Sequence, residues 1–76
     1  MRYRVEFLRE ATEEESVCFV RSLRAKELNV VQLQAHAWAG AAQRNFGAGG
    51  FQIRDLDNDG LIVALEEFEG PASTIH

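Results

Sequence analysis

Two adjacent glycines, Gly49 and Gly50, limit what this chain can fold into more than any other feature of its sequence. Glycine costs a helix interior about 1 kcal/mol relative to alanine, so the segment GAGG cannot sensibly continue a helix. An alanine-rich segment precedes these glycines, and an alternating apolar segment follows them. The sequence therefore predicts a helix that ends in a left-handed cap at Gly47 and an extended strand that begins at Phe51.

Three further segments predict strands from their pattern of apolar residues. In RYRVEFL, Tyr3, Val5 and Phe7 fall on one side and charged residues on the other, which is the period of a half-buried strand. FQIRD repeats this period with Phe51 and Ile53 inward, and LIVAL is a short β-branched run. We expect FQIRD and LIVAL to form adjacent strands joined by the acidic turn between them.

The segment SVCFVRSLRAKEL carries two conflicting signals. Its run VCFV favours a strand, whereas Thr12 and Glu15 ahead of it form a capping box typical of a helix start. As a strand, the segment places its apolar residues on one side with only Arg21 out of place. As a helix, it would spread them all round. We therefore predict a strand, preceded by a solvated acidic loop, EATEEES.

The run VVQLQAHAWAGAAQRNF predicts an amphipathic helix with Asn29 as its N-cap. Its polar residues Gln32, His36 and Gln43 fall on one side. The opposite, apolar sector comprises Val30, Val31, Ala35, Ala37, Trp38, Ala41, Ala42 and Phe46.

The resulting order is strand, strand, helix, strand, strand, which predicts a small two-layer α+β domain of the ββαββ type. Its four-stranded antiparallel sheet buries one face under the helix and leaves the other open, with strand order 2-1-3-4. A chain of 76 residues builds one core, so residues 1–70 are expected to form a single domain. Residues 71–76, after Gly70, are expected to form a flexible tail.

The acidic stretch DLDNDGLIVALEEF, residues 55–68, fits two different structures. It matches the EF-hand calcium loop, D-x-[DN]-x-[DN]-G followed by a glutamate. It also fits a β-hairpin with a type I turn over residues 57–60 and Gly60 in the left-handed conformation. The calcium ligands in the first case would be the side chains of Asp55, Asp57, Asp59 and Glu66 and the carbonyl of Leu61.

The flanking segments favour the hairpin. An EF-hand needs a helix running into the loop, yet only FQIR separates Gly50 from Asp55, which is less than two turns at about 3.6 residues each. The exit helix would be cut short by Gly70 and Pro71. We therefore predict a hairpin and no cofactor. A calcium-binding protein with a lone EF-hand-like loop and a helical fold is the alternative.

The distribution of charge bears on the class of partner. A net charge of -4 argues against a general nucleic-acid role. RNA-binding sheets also expose aromatic rings, whereas Tyr3, Phe7, Phe19 and Phe51 are expected to face the helix. A basic sheet face suits contact with an acidic protein or a second copy. The strand phases place Arg2, Arg4, Arg24, Lys26 and Arg54 on the open face, with Glu6 the only acid among them.

No catalytic arrangement is recognisable in the sequence. Cys18 has no histidine or carboxylate nearby to activate it, and His36 has no second ligand at metal spacing. GAGG lacks the strand before it and the helix after it that a dinucleotide site needs. We predict a non-enzymatic binding or assembly module that acts on an unknown protein partner or forms a homodimer.

The single cysteine and the absence of long apolar runs indicate a compartment. One cysteine cannot form an internal disulfide, which suits a reducing environment. No apolar run approaches the about 20 residues that span a bilayer, and the charged start MRYRVEFLRE is unlike a signal peptide. We therefore predict a cytoplasmic protein with no membrane contact.

Three stretches together resemble a group of short bacterial proteins of unknown function. They are YRVEFL, SLRAKEL with the alanine-rich helix after it, and GAGGFQIRDLDNDGLIVA. The resemblance covers residues 2 to about 64 and implies a small ββαββ domain. It implies no activity, substrate or site, and this chain departs from the group in its longer acidic turn and its EEF segment.

Overall fold

The computed structural model describes residues 1–68, which form one helix and a four-stranded sheet. The elements are β1 (Arg2–Leu8), β2 (Val17–Arg24), α1 (Leu28–Phe46), β3 (Gly50–Asp55) and β4 (Leu61–Glu67). The strand order is β2-β1-β3-β4, and every neighbouring pair is antiparallel. The predicted α+β fold and strand order are confirmed, and the helical EF-hand alternative is not the fold. The predicted tail, 71–76, lies outside the described residues.

The core lies between α1 and the two central strands. Phe7 of β1 and Phe51 of β3 are cross-strand partners with their rings edge to face at 5.8 Å, and both are fully buried. The helix covers them with small and branched residues, which let its backbone approach the sheet closely. Its buried residues are Val31, Ala35, Ala39 and Ala42.

The two ends of α1 differ in how well the sequence predicts them. Gly47 takes the left-handed conformation at φ 70° and ψ 31°. Its N–H donates to the Gln43 carbonyl at 3.1 Å, and the N–H of Ala48 donates to the Ala42 carbonyl at 3.3 Å, so the predicted C-cap is confirmed. The predicted N-cap is wrong. Asn29 lies inside the helix, and Glu27 occupies the N-cap without a side-chain hydrogen bond.

The buried face of α1 is narrower than the predicted apolar sector. Ala37 and Ala41 are exposed, as are Val30 and Phe46, while Ala39 takes a buried place that the prediction omits. An alanine-rich helix has low contrast between its sides, because alanine tolerates both water and the core. The position of the sheet, rather than the sequence of the helix, decides which alanines are buried.

Arg21, the residue that breaks the apolar pattern of β2, lies on the helix side of the sheet. It pairs across the strands with the buried Val5. Its guanidinium lies 4.9 Å from the centre of the half-buried Trp38 ring and 5.9 Å from that of Phe19. Cation–π contact with aromatic rings therefore accommodates this charge beside the core.

The sheet face opposite the helix is only partly open, which corrects the expectation of a free face. The loop between β1 and β2 folds over one end of it, where Ala11 packs above Gly50 and Leu8 is fully buried. Ser16 holds this loop in shape: its hydroxyl accepts the N–H of Glu10 at 3.0 Å. The same hydroxyl lies 2.8 Å from the carbonyl of Glu13, to which it donates.

Candidate interaction surface

The middle of the sheet face opposite the helix holds a network of charged side chains centred on Glu6. The Glu6 side chain is largely enclosed, with the residue only 6% exposed. Gln52 Nε2 donates to Glu6 Oε1 at 2.6 Å, and Arg54 Nε donates to the same oxygen at 2.9 Å. Arg4 Nε lies 3.0 Å from Glu6 Oε2 at an angle too poor for a hydrogen bond, so this pair is held by charge alone.

These contacts fix the protonation state of Glu6. Burial acts to raise the pKa of Glu6, but the hydrogen bonds from Gln52 and Arg54 and the charges of Arg54 and Arg4 outweigh it. The pKa of Glu6 therefore lies below its ordinary value. The hydrogen bond to Glu6 likewise raises the pKa of Arg54. The carboxylate is ionised at neutral pH and joins β1 to β3.

Two residues of the predicted basic face, Arg54 and Arg2, bind acids that the sequence analysis did not place there. Arg54 also donates to Glu14 Oε2 at 3.2 Å, because the loop between β1 and β2 brings that acid over the sheet. Arg2 binds Asp57, from the turn between β3 and β4, through its backbone N–H at 2.7 Å and its guanidinium at 3.1 Å. Within residues 1–68, Arg24 and Lys26 form no ion pair. A broad basic surface is therefore not present on this face.

The acidic stretch forms a β-hairpin, as the flanking segments predict. Two overlapping turns connect the strands: Asn58 N–H donates to the Asp55 carbonyl at 3.1 Å, and Leu61 N–H donates to the Asn58 carbonyl at 3.0 Å. Asp59 and Gly60 have φ of 57° and 72°, the positive values typical of a type I′ turn. The predicted left-handed Gly60 is confirmed. The predicted single type I turn at 57–60 is wrong. The type I′ turn spans residues 58–61, and the positive φ of Asp59 does not occur in a type I turn.

The hairpin separates Glu66 from the other four candidate calcium ligands. Asp55 Oδ1 accepts the N–H of Asp57 at 3.0 Å, and the carboxylate of Asp57 binds Arg2. Glu66 Oε2 lies 3.0 Å from His36 Nε2 on the helix. Extended strand β4 carries Glu66 about 16 Å beyond Leu61, at about 3.3 Å per residue. Among residues 1–68, no group of three or more His, Cys, Asp or Glu side chains is arranged to hold a metal ion.

The outer edge of β4 is the most exposed apolar feature next to this hairpin. The helix packs over β1, β2 and β3, and no strand within residues 1–68 pairs with the outer side of β4. Leu61 and Leu65 are 55% and 56% exposed. The strand is uncharged from Leu61 to Leu65. This edge, Leu61–Glu67, is here named the β4 edge.

The hydrogen bonds of β4 show which of its backbone groups face outward. Phe68 N–H donates to the Gly49 carbonyl at 2.9 Å, toward β3. Because donors and acceptors alternate along an antiparallel strand, Glu66 also faces β3, while Leu65 and Glu67 present their N–H and C=O groups to the outer side. Leu65 and Glu67 pair with Gln52 and Gly50, which places their side chains on the sheet face opposite the helix.

A second surface feature is a cleft of about 350 Å³ at the end of β1 and β2. Cross-strand partners Arg2 and Arg24 lie on its wall. Its volume is at the low end for small-molecule sites. Asp57 already binds the guanidinium of Arg2, so among the residues that line the cleft only Arg24 has a cationic side chain free to bind an anion. The other lining residues are Tyr3, Ser22, Leu23 and Leu56.

Cys18 and His36 lie on different elements, β2 and α1. Cys18 is a free, half-buried thiol on β2. His36 is exposed, as predicted, but it also bridges α1 and β4 through Glu66 and sets its ring edge to face with Phe51 at 5.5 Å. No local pattern in the sequence predicts this bridge, because the two residues are 30 positions apart along the chain.

Comparison with protein-family models, curated proteins and solved structures finds no match to this chain. The resemblance to short bacterial ββαββ proteins therefore stays a prediction. Within the part of the chain that the structure describes, no helix has both the length and the apolar character needed to cross a membrane.

Proposed function

We propose that this chain is a non-enzymatic binding module that docks an extended segment of a partner protein along the β4 edge. The proposal is carried by one observation: within residues 1–68, β4 combines an outer side without a partner strand and two exposed leucines, Leu61 and Leu65. Strands with unpaired N–H and C=O groups are templates for a further strand. Strand addition is a recurring mode of peptide recognition, in which main-chain hydrogen bonds give affinity and alternate side chains give specificity.

The charge pattern favours β4 over β2, the other edge of the sheet. Charged residues on an edge strand discourage pairing with another chain. The β2 strand carries Arg21 and Arg24, and Lys26 follows it. The charges of β4, Glu66 and Glu67, lie together at its C-terminal end, so its first five residues, Leu61 to Leu65, form an uncharged edge.

The surroundings of Glu6 support a structural role for this carboxylate rather than a catalytic one. A catalytic carboxylate has to reach a substrate, whereas Glu6 is enclosed by Gln52, Arg54 and Arg4. Its lowered pKa also makes it a weak base. We assign it to holding the sheet together beside the docking edge.

Selection of peptides against the intact chain tests this function. A display library of random peptides is expected to yield binders whose addition shifts the amide resonances of Leu65 and Glu67 most. Leu65→Lys is expected to abolish their binding. Leu33→Lys, the same exchange at a helix residue 69% exposed, should leave it unchanged. Binders that shift only the cleft around Arg24, or a library that yields none, would overturn the proposal.

A further inference from the structure

Building on the proposed function, we infer that the segment docked on the β4 edge is an apolar strand with a basic residue at each end. The observation behind this is the placement of two acids. Asp59 lies in the turn just before β4, and Glu67 is its last residue. Both are exposed, and the strand between them is apolar up to Glu66.

Asp59 and Glu67 are available to a partner in a way that the neighbouring acids are not. Asp57 binds Arg2, and Glu66 binds His36. Within residues 1–68, neither Asp59 nor Glu67 forms an ion pair. A partner that supplies two cations would therefore meet two carboxylates that no ion pair within residues 1–68 occupies.

The geometry of β4 sets the spacing of the partner's charges. A strand advances about 3.3 Å per residue, so Asp59 and Glu67 mark the two ends of an edge about 25 Å long. An antiparallel or parallel partner of about nine residues spans that edge and places its terminal side chains near the two acids. Outward-facing N–H and C=O groups at Leu65 and Glu67 supply the main-chain contacts.

A second copy of this chain fits the β4 edge less well than such a segment. An antiparallel β4–β4 contact brings Glu67 of each copy toward Asp59 of the other, and like charges across paired strands are destabilising. The β2 edge of a second copy has its basic residues only at the C-terminal end. Its N-terminal end follows Glu13, Glu14 and Glu15, which would lie beside Glu67.

Three synthetic peptides test the inference on the intact chain. They share one apolar, β-branched centre and carry lysine, glutamine or glutamate at both ends. Each exposed ion pair is worth up to about 1 kcal/mol, so the lysine peptide is expected to bind about tenfold more tightly than the glutamine peptide. The glutamate peptide should bind most weakly. The advantage of lysine should largely disappear at about 1 M salt, because exposed charges are then screened.

Two changes assign the effect to the β4 edge. The double variant Asp59→Asn with Glu67→Gln should remove the advantage of the lysine peptide, and asparagine keeps the left-handed backbone at residue 59. The matched control, Glu10→Gln with Glu13→Gln, changes the net charge equally on an exposed loop and should keep that advantage. A lysine peptide N-methylated on its strand-facing amides should not bind, and this control leaves the protein untouched.

The outcomes separate the inference from the function on which it rests. Equal binding of the three peptides at β4 would overturn the basic-ended partner and leave the strand-docking module standing. Self-association of the chain that Leu65→Lys abolishes would make a second copy the occupant and likewise overturn it. Failure of every peptide, together with an empty library selection, would overturn the docking function itself.

Discussion

Arg54 Nε donates to Glu6 Oε1 over 2.9 Å, joining β3 to β1 on the sheet face opposite the helix. The contact is flanked by Gln52, which donates to the same oxygen, and by Glu14, which binds the far side of the Arg54 guanidinium. A charge-assisted network of this kind stabilises a sheet only while every member is present. It therefore defines where a single exchange should weaken the fold.

Glu6→Gln is expected to lower the free energy of unfolding by about 2 kcal/mol, because it leaves the partly buried Arg4 and Arg54 cations without their carboxylate. Chemical denaturation at neutral pH measures the loss. Glu13→Gln, on the exposed part of the acidic loop, is the control and should change stability by less than about 0.5 kcal/mol. Equal effects of the two exchanges would show that the network contributes nothing.

The same network predicts a loss of stability in acid. The pKa of Glu6 is lowered below 4.5 in the folded chain, because hydrogen bonds and nearby cations outweigh burial. The folded state thus binds fewer protons than the unfolded chain, so stability present above pH 4.5 is lost as pH falls through the folded pKa. Denaturation curves from neutral to acid pH should show this decline, and Glu6→Gln should make it shallower. An unchanged slope in the variant would assign the acid sensitivity to other groups.

Gly50→Ala is expected to destabilise the chain by about 2 kcal/mol, because the close packing around residue 50 leaves no space for a methyl group. An added Cβ would collide with the Glu66 carbonyl and lie 2.7 Å from Ala11 Cβ. Gly40→Ala in α1 is the matched exchange: it meets only the mobile end of the Arg44 side chain, at 3.2 Å. It should stabilise the helix by up to about 1 kcal/mol. Thermal melting is expected to show a lower Tm for Gly50→Ala and a higher Tm for Gly40→Ala than for the unchanged chain.

Short-range features of the sequence were sufficient to predict most of the fold. The alternation in RYRVEFL, the glycines at 47–50 and the paired apolar runs around Asn58 each determine a local conformation that the structure contains. The start of α1 was predicted wrongly, because Asn29 has the right chemistry for a cap but the helix begins two residues earlier, with Glu27 as the N-cap and Leu28 as its first residue. Local propensity is a weak guide where tertiary packing fixes the first turn.

The candidate surface was much less predictable, because it depends on contacts between distant residues. The sequence predicted Glu6 as a lone acid on a basic face. Its partners Gln52 and Arg54 lie 46 and 48 residues away along the chain, so no local pattern could indicate them. The loop that brings Glu14 over the sheet was predicted only as a solvated acidic loop, without a contact to the sheet. The exposed β4 edge follows from the strand order, which places β4 outermost, and from the position of the helix over the other three strands.

Calcium is expected to leave the stability of the chain unchanged, because Asp57 and Glu66 already bind Arg2 and His36 and an extended strand separates Glu66 from the turn. A ligand at a hundred times its Kd stabilises the folded state by about 2.7 kcal/mol, which would raise Tm by more than about 10 °C in a domain of this size. Thermal melting with calcium up to a few millimolar, against magnesium as the control ion, should show a shift below about 1 °C. A saturable, calcium-specific rise in Tm that Asp59→Asn abolishes would instead establish a metal site at the turn, formed by ligands that rearrange on binding.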